Sequence, residues 1–175
     1  MNATEHDACF ATWTRDHRAI LVHVVQAFAE GADRHDLMQE ILLALWRAIP
    51  GFRGGSRPST YVYRVAHSTA LTWRRREATH RRRSADAIDA DWMMSPDDGR
   101  ARSDTPARLH ALFAALRDLQ PVDRSIMLMA LDGASYHEIS EVHGLSESHV
   151  GVRLTRARQQ LTRILNPSPA SDHAS

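Results

Sequence analysis

The sequence has no lysine; all 22 basic residues are arginine. Part of that bias reflects GC-rich codon usage, so it carries little chemical weight by itself. Its one cysteine, Cys9, excludes an intrachain disulfide framework and a multi-cysteine zinc site. Eight glycines and seven prolines exclude collagen-like and low-complexity classes. No apolar run approaches the roughly 18 residues of a membrane span. The N-terminus also lacks a basic-then-apolar secretion signal, so the expectation is a cytoplasmic chain without membrane insertion. At 175 residues, 43% hydrophobic and 25% charged, the chain has the composition of one globular domain or two small ones.

The net charge of +1 conceals a strong segregation. Residues 1–52 carry four arginines against seven acids, whereas residues 53–83 carry nine arginines against Glu77 alone. Residues 84–107 hold two arginines and six aspartates, and residues 148–165 hold four arginines and no acid. Two basic blocks separated by an acidic one point to two anion-binding surfaces.

The apolar period is helical almost everywhere. Phe10, Trp13, His17, Leu21, Val24 and Phe28 recur at steps of three and four, predicting one helix closed near Gly31. Asp33 is placed to cap a second helix, about 34–49, ended by Pro50 and Gly51. After a Gly-rich loop, Ser59 or Thr60 caps a third helix that reaches at least Arg76. Periodicity fails from about 79 to 105, which reads as a linker. Thr105 and Pro106 restart a helix, and another runs from Val122 to Asp132. Ser135 and Glu138 form a capping box for a short helix ending at Gly144. Ser146 caps the last helix, to about Leu165. The expected organisation is all-α: two small helical domains at 1–83 and 107–166, a flexible acidic linker at 84–106, and a disordered tail at 167–175.

Three helical faces carry information. Residues 135–165 form a helix-turn-helix, whose second helix normally enters the major groove. Val150, Leu154, Ala157, Leu161 and Ile164 form its core stripe. Ser148, Val152, Thr155, Arg156, Gln159 and Arg163 lie opposite, flanked by His149 and Arg153, where side chains can reach bases or phosphates. On the third helix, Val62, Val65, Ala66, Thr69 and Trp73 form the buried stripe. The other side presents Arg64, His67, Ser68, Leu71, Arg74 and Arg75, with Tyr61 and Tyr63 at its flanks. Arginines interleaved with aromatics beside the loop bearing Phe52 suit unpaired nucleic acid. The second helix points Leu37, Ile41, Leu45 and Ile49 inward. Its polar face carries Asp36, Gln39, Glu40, Arg47 and a misplaced Leu43, which marks a protein partner.

Catalytic and metal readings find no support. His137-Glu138 starts like a zinc-protease motif, but Glu141 stands where the second ligand belongs. His6 and Cys9 are only two ligands near a terminus. There is no glycine-rich phosphate loop and no nucleophile–base–orienter set, so neither enzyme activity nor a cofactor is expected.

Asp36-Leu37-Met38-Gln39-Glu40-Ile41 with Leu45-Trp46-Arg47, then Phe52-Arg53-Gly54, then Ser59 to Ala66, resembles region 2 of bacterial RNA polymerase sigma factors of the extracytoplasmic-function (ECF) group. Leu116 to Leu119, Pro121, Arg124, Gly133 to Ser140, Gly144 to Ser148 and Arg153 to Arg158 resemble region 4 of the same family. The resemblance implies that Asp36, Gln39, Glu40, Leu43 and Arg47 bind the polymerase β′ clamp helices. It implies that Phe52, Arg53, Ser59, Thr60, Tyr61, Arg64, His67, Ser68, Arg74 and Arg75 melt and hold the −10 element. Ser148, His149, Val152, Arg153, Arg156 and Gln159 would read the −35 duplex. Implied partners are core RNA polymerase (β′ clamp helices and β flap), promoter DNA and an anti-sigma protein, and the acidic linker would thread towards the RNA path. Pro58, Tyr61 and His67-Ser68 depart from the family pattern around the −10 segment. Gly151 stands where a basic residue is common, which predicts a softer recognition helix or a close backbone approach to DNA. The alternative is a free-standing helix-turn-helix regulator of duplex operators, which leaves Leu43 and the 53–83 basic block without a role.

Overall fold

The computed structural model describes residues 2–85 and 104–166. Most of the expected linker and all of the expected tail therefore lie outside the described residues. Among the described residues there are eight α-helices, one 3₁₀ turn and no strand. None of these helices is long and apolar enough to cross a membrane.

The single N-terminal helix expected from periodicity is two. Helix α1 (Ala3–Asp16) starts with Asn2 and Glu5 exchanging side-chain and backbone hydrogen bonds, a reciprocal cap. It ends at His17 (φ −111°, ψ 21°), and α2 (Arg18–Phe28) follows directly. Periodicity cannot see this break because Leu21 N–H still reaches the His17 carbonyl, so the apolar spacing runs almost undisturbed through it. Helix α3 (Asp33–Ala48) includes Asp33 in its first turn, with Ala32 at the cap position; the expected Asp33 side-chain cap is not made. Asp33 and Asp36 instead place negative charge at the positive end of the helix dipole. Ile49–Gly51 closes α3 as a 3₁₀ turn.

Helix α4 (Pro58–Ala85) begins at its proline, one or two residues before the expected Ser59 or Thr60 cap. Proline suits a first turn, where its missing N–H has no helical partner to lose. The C-terminal half consists of α5 (Asp104–Arg117), α6 (Pro121–Leu131), α7 (Tyr136–His143) and α8 (Glu147–Leu165). The Ser135–Glu138 box starts α7 as expected, and Gly144, at φ +64°, ends it in the left-handed conformation that a side chain disfavours. Ser146 Oγ accepts from the His149 N–H to start α8.

Leu37, Ile41 and Leu45 of α3, Val62 and Ala66 of α4, and Leu21, Val24 and Phe28 of α2 form the N-terminal core. Leu116, Leu119, Ile126, Met129, Ile139, Val150, Leu154 and Ala157 form the C-terminal one. Fully burying side chains of this size contributes roughly 1.5–3 kcal/mol each before chain entropy is counted. The halves also pack on each other: α2 touches α5 and α6, and α4 touches α6 and α7. Helix α4 is consequently buried on two sides, and this decides which of its expected DNA-facing residues are accessible.

Candidate nucleic-acid and protein-binding faces

Helix α3 turns Leu37, Ile41 and Leu45 fully inward. That leaves Asp36, Gln39, Leu43 and Arg47 exposed and Glu40 half-buried, as the helical spacing predicted. Leu43 is 48% exposed, and Trp46 beside it is 42% exposed. Leu43 borders a groove of about 400 Å³ between α3 and α4, walled by Glu40, Ala44, Arg47, Thr69, Thr72 and Arg76. Arg76 donates to Glu40 at 3.0 Å across that groove. Trp46 enters the sequence reading only as part of the Leu45-Trp46-Arg47 motif, with no role of its own. The His6 ring lies 4.6 Å from it, centroid to centroid, and covers only one side.

The 52–61 loop is held by aromatic packing. The Phe52 ring lies edge-on to Trp13 at 4.9 Å and to Tyr61 at 5.0 Å. The Tyr61 hydroxyl donates to the Ala48 carbonyl at 2.9 Å. These two rings therefore spend their faces on each other and on Trp13, leaving Arg53 exposed on the loop they anchor.

Along α4, Arg64, Ser68, Arg74 and Arg75 are exposed and Ser59 is half-buried. Thr60, expected to contact the −10 element, and His67, expected on the exposed face, are buried at 2% and 6%. Both turn towards the C-terminal half. Thr60 lines a cleft with Met129, Asp132, Gly133 and Ala134, and His67 meets His143 of α7. Tyr63, expected at a flank, is buried as well, and its hydroxyl donates to Asp132. Burial first, then that carboxylate, push the Tyr63 pKa far upward, so it remains a neutral donor.

On α8 the expected polarity holds. Val150, Leu154, Ala157 and Leu161 are buried, Ile164 is half-buried, and Ser148, His149, Val152, Thr155, Arg156, Gln159 and Arg163 are exposed. Arg153 is half-buried because its guanidinium donates to Asp123 of α6 at 2.6 Å, so it braces the helix pair. His149, Val152, Arg153 and Arg156 line one groove with Asp123 and Leu145. A Cβ at Gly151 would meet the edge of the Tyr136 ring of α7 at 3.4 Å, an ordinary van der Waals contact.

The contacts between the halves use residues the sequence reading passed over. Arg57 pairs with Glu138 at 2.9 Å, and His23 with Asp132 at 2.8 Å. The Ser135 backbone N–H, the largest influence, and then Arg57 hold the Glu138 carboxyl below its usual range, against a smaller opposing push from burial. Arg117 donates to the Gln26 carbonyl at 3.0 Å and pairs with Glu30. Arg124, only 1% exposed, donates to the Ala27 carbonyl at 3.1 Å, the Leu119 carbonyl at 3.0 Å and the Arg117 carbonyl. An arginine in sequence reads as surface, and nothing local marks these as internal.

A two-sided helix α4, an α3 with an apolar residue on its polar face, and a capped helix-turn-helix define a two-part, all-α binding protein. Residues 12–80 match the family model described as Sigma-70 region 2, and residues 109–161 match Sigma-70, region 4. The chain belongs to the sigma-70 family, in its ECF group. It is 32% identical over 196 aligned residues to the ECF RNA polymerase sigma factor SigG of Mycobacterium tuberculosis, covering 96% of this chain and 51% of that protein. This chain thus spans about half the length of that relative. It is 28% identical to the ECF RNA polymerase sigma-E factor of Escherichia coli K12, over 82% of this chain and 80% of that one. Its fold resembles the sigma factor RpoE solved in complex with the anti-sigma factor NepR from Bartonella quintana. That match has a TM-score of 0.64 and 19% identity, and covers 85% of this chain and 91% of the other. It also resembles CnrH, solved with the cytosolic domain of CnrY. There the TM-score is 0.65 at 20% identity, covering 93% of this chain and 91% of the other.

Proposed function

We propose that this chain is a promoter-specificity subunit that binds core RNA polymerase and directs transcription initiation. The observation carrying this reading is Leu43: a large apolar side chain, 48% exposed on an otherwise polar helix face, beside a groove rimmed by Glu40, Arg47 and Arg76. A free-standing operator-binding protein has no use for that face. In this reading Asp36, Gln39, Glu40, Leu43 and Arg47 seat the β′ clamp helices, and region 4 reaches the β flap. Arg53, Ser59, Arg64, Ser68, Arg74 and Arg75 follow the −10 strand, with Phe52 and Tyr61 shaping the loop. Thr60 and His67 reach DNA only once the C-terminal half moves off α4. Ser148, His149, Val152, Arg156 and Gln159 read the −35 duplex, with Arg153 fixing the pose of α8. The domains act as units 1–83 and 107–166, and two weak DNA contacts gain strength by effective concentration when held on one polymerase.

Action is by binding, in the bacterial cytoplasm, and arginine–phosphate contacts make it strongly salt-dependent. Two solved relatives were captured with an anti-sigma factor and with a partner's cytosolic domain, which supports a comparable protein regulator here. The test is co-elution with purified bacterial core RNA polymerase, comparing wild type with Leu43→Arg. Stoichiometric co-elution lost in the variant, at an unchanged melting temperature, is the expected result. A folded wild type that fails to co-elute overturns the proposal in favour of a free-standing helix-turn-helix regulator.

A further inference from the structure

We propose that the contact between the two halves is an acid-opened clasp, with His67 of α4 and His143 of α7 as its proton-binding pair. The two rings meet edge-on, with centroids 4.7 Å apart, and the Phe28 ring of α2 closes the other side of His67 at 5.9 Å. His143 Nε2 lies 3.3 Å from Ser125 Oγ of α6. The Nδ1 atom of His67 is buried and has no hydrogen-bond partner. A neutral ring tolerates that atom as an unused acceptor, but an imidazolium carries an N–H on both nitrogens and would point one at nothing.

The charged groups around the pair do not compensate a new cation. From α8, Arg153 faces His143 and is itself positive, its charge engaged by Asp123 of α6. From α6, Arg124 lies over the Phe28 ring. On α4, Arg64 donates to the backbone carbonyl of Glu141 of α7. The carboxylates between the halves have other partners: Asp132 holds His23 and Tyr63, and Glu138 holds Arg57 and the Ser135 N–H. On α5, Arg117 pairs with Glu30.

Burial, and secondarily His143, lower the His67 pKa to about 3; burial, and secondarily Arg153, lower that of His143 to about 4. Separating the halves opens the side of each ring that faces the other half to water and raises both pKa values towards the ordinary value near 6.5, while Phe28 stays against His67 and Arg153 near His143. A group whose pKa is depressed in the closed form stabilises that form fully above about pH 6.5, and the stabilisation fades as pH falls towards 4. Between pH 7.5 and 5.5 each ring favours opening by at most about tenfold, and the pair by at most about 100-fold. Acid therefore uncovers Thr60, Tyr63 and His67 of α4; that this exposes a promoter-binding surface rests on the function proposed above, whereas the opening itself does not.

The test uses the full chain without DNA, in a Cys9→Ser background, with Thr60→Cys as a reporter in the contact and Ile41→Cys as a reporter in the N-terminal core. Labelling by 4,4′-dithiodipyridine, corrected for thiolate fraction, is followed from pH 7.5 to 5.5 while far-UV circular dichroism monitors helicity. The Thr60 reporter is expected to label at least tenfold faster than the Ile41 reporter, and up to about 100-fold faster at pH 5.5 than at 7.5. With His67→Leu and His143→Gln added, the pH response is expected to fall below about threefold. Should that double variant not fold, His143→Gln alone is expected to reduce the response to about tenfold. A flat corrected rate, an equal response with and without the histidines, or equal rates at the two reporters would overturn the proposal. Equal rates would mean global unfolding and not a hinge between halves.

Discussion

Replacing Arg124 by methionine removes the guanidinium that ties α2 to α5 and α6 while keeping most of the side-chain volume. Burial, followed by the nearby Arg74 and Arg117, pulls its pKa down only to about 10, so it is charged at pH 7. It donates to three backbone carbonyls, of Ala27, Arg117 and Leu119, and lies 5.0 Å from the Phe28 ring centroid. Hydrogen bonds from a charged donor contribute about 1.5–3 kcal/mol each, which puts the three near 5–9 kcal/mol. Against this stand the buried Nε, which finds no partner, and the desolvation of the guanidinium, together about 3–5 kcal/mol. The balance predicts a loss of about 3 kcal/mol in Arg124→Met, measured by urea denaturation at pH 7. For a chain of this size that is a fall of roughly 10 °C in melting temperature. Arg124→Lys keeps the charge, but a single ammonium cannot serve the α2 and α5 carbonyls together, so it should recover less than half of the loss. A methionine variant within about 1 kcal/mol of wild type would refute the reasoning, since desolvation would then cancel the bonds completely. A lysine variant as stable as wild type would refute the geometric half of it.

Two further outcomes follow from α8. Gly151→Ala should raise stability by about 0.5–1 kcal/mol, because glycine inside a helix costs about 1 kcal/mol relative to alanine and the new methyl meets only the edge of the Tyr136 ring. Destabilisation on thermal melting would show that the ring cannot yield. Arg156→Ala should leave stability within about 0.5 kcal/mol and weaken binding of the polymerase-bound chain to a −35 duplex, reducing the salt slope by about 1. Arg153→Ala should instead lower stability by about 1 kcal/mol through the lost bond to Asp123. Equal losses of affinity and unchanged stability in both variants would refute the division of labour between these two arginines.

How much was legible follows from where each structural cause lies in the chain. Helices α3, α7 and α8 were readable because their causes are local: the inward spacing of Leu37, Ile41 and Leu45, the Ser135–Glu138 box, Gly144, and the Ser146 cap. The split at His17 was not, because both segments keep the same apolar period. The exposed arginines of α4 and α8 and the outward Leu43 were found by projecting one helix against one core. Projection fails for Thr60, Tyr63 and His67, since α4 has a second neighbour, the C-terminal half, distant in sequence. Nothing between Ala66 and Ser68 tells a buried histidine from an exposed one. Phe52 and Tyr61 read as rings open to unpaired bases, but they pack on each other and on a third ring, Trp13 of α1, distant in sequence.

The absence of lysine, uninformative as composition, acquires meaning at the contact between halves. Arg57, Arg64, Arg117 and Arg124 all reach across it, three of them to backbone carbonyls. A guanidinium can hold two acceptors in fixed directions at once, as Arg124 does with Ala27 and Leu119, whereas an ammonium acts as a point charge. The apolar residues of the two halves belong to one buried cluster, and arginine, histidine, tyrosine and carboxylate groups add polar contacts across the join. The same polarity lets a proton or a competing partner surface tip the balance. The covered side of α4, with Thr60, Tyr63 and His67, is the surface that the proposed clasp would expose on opening.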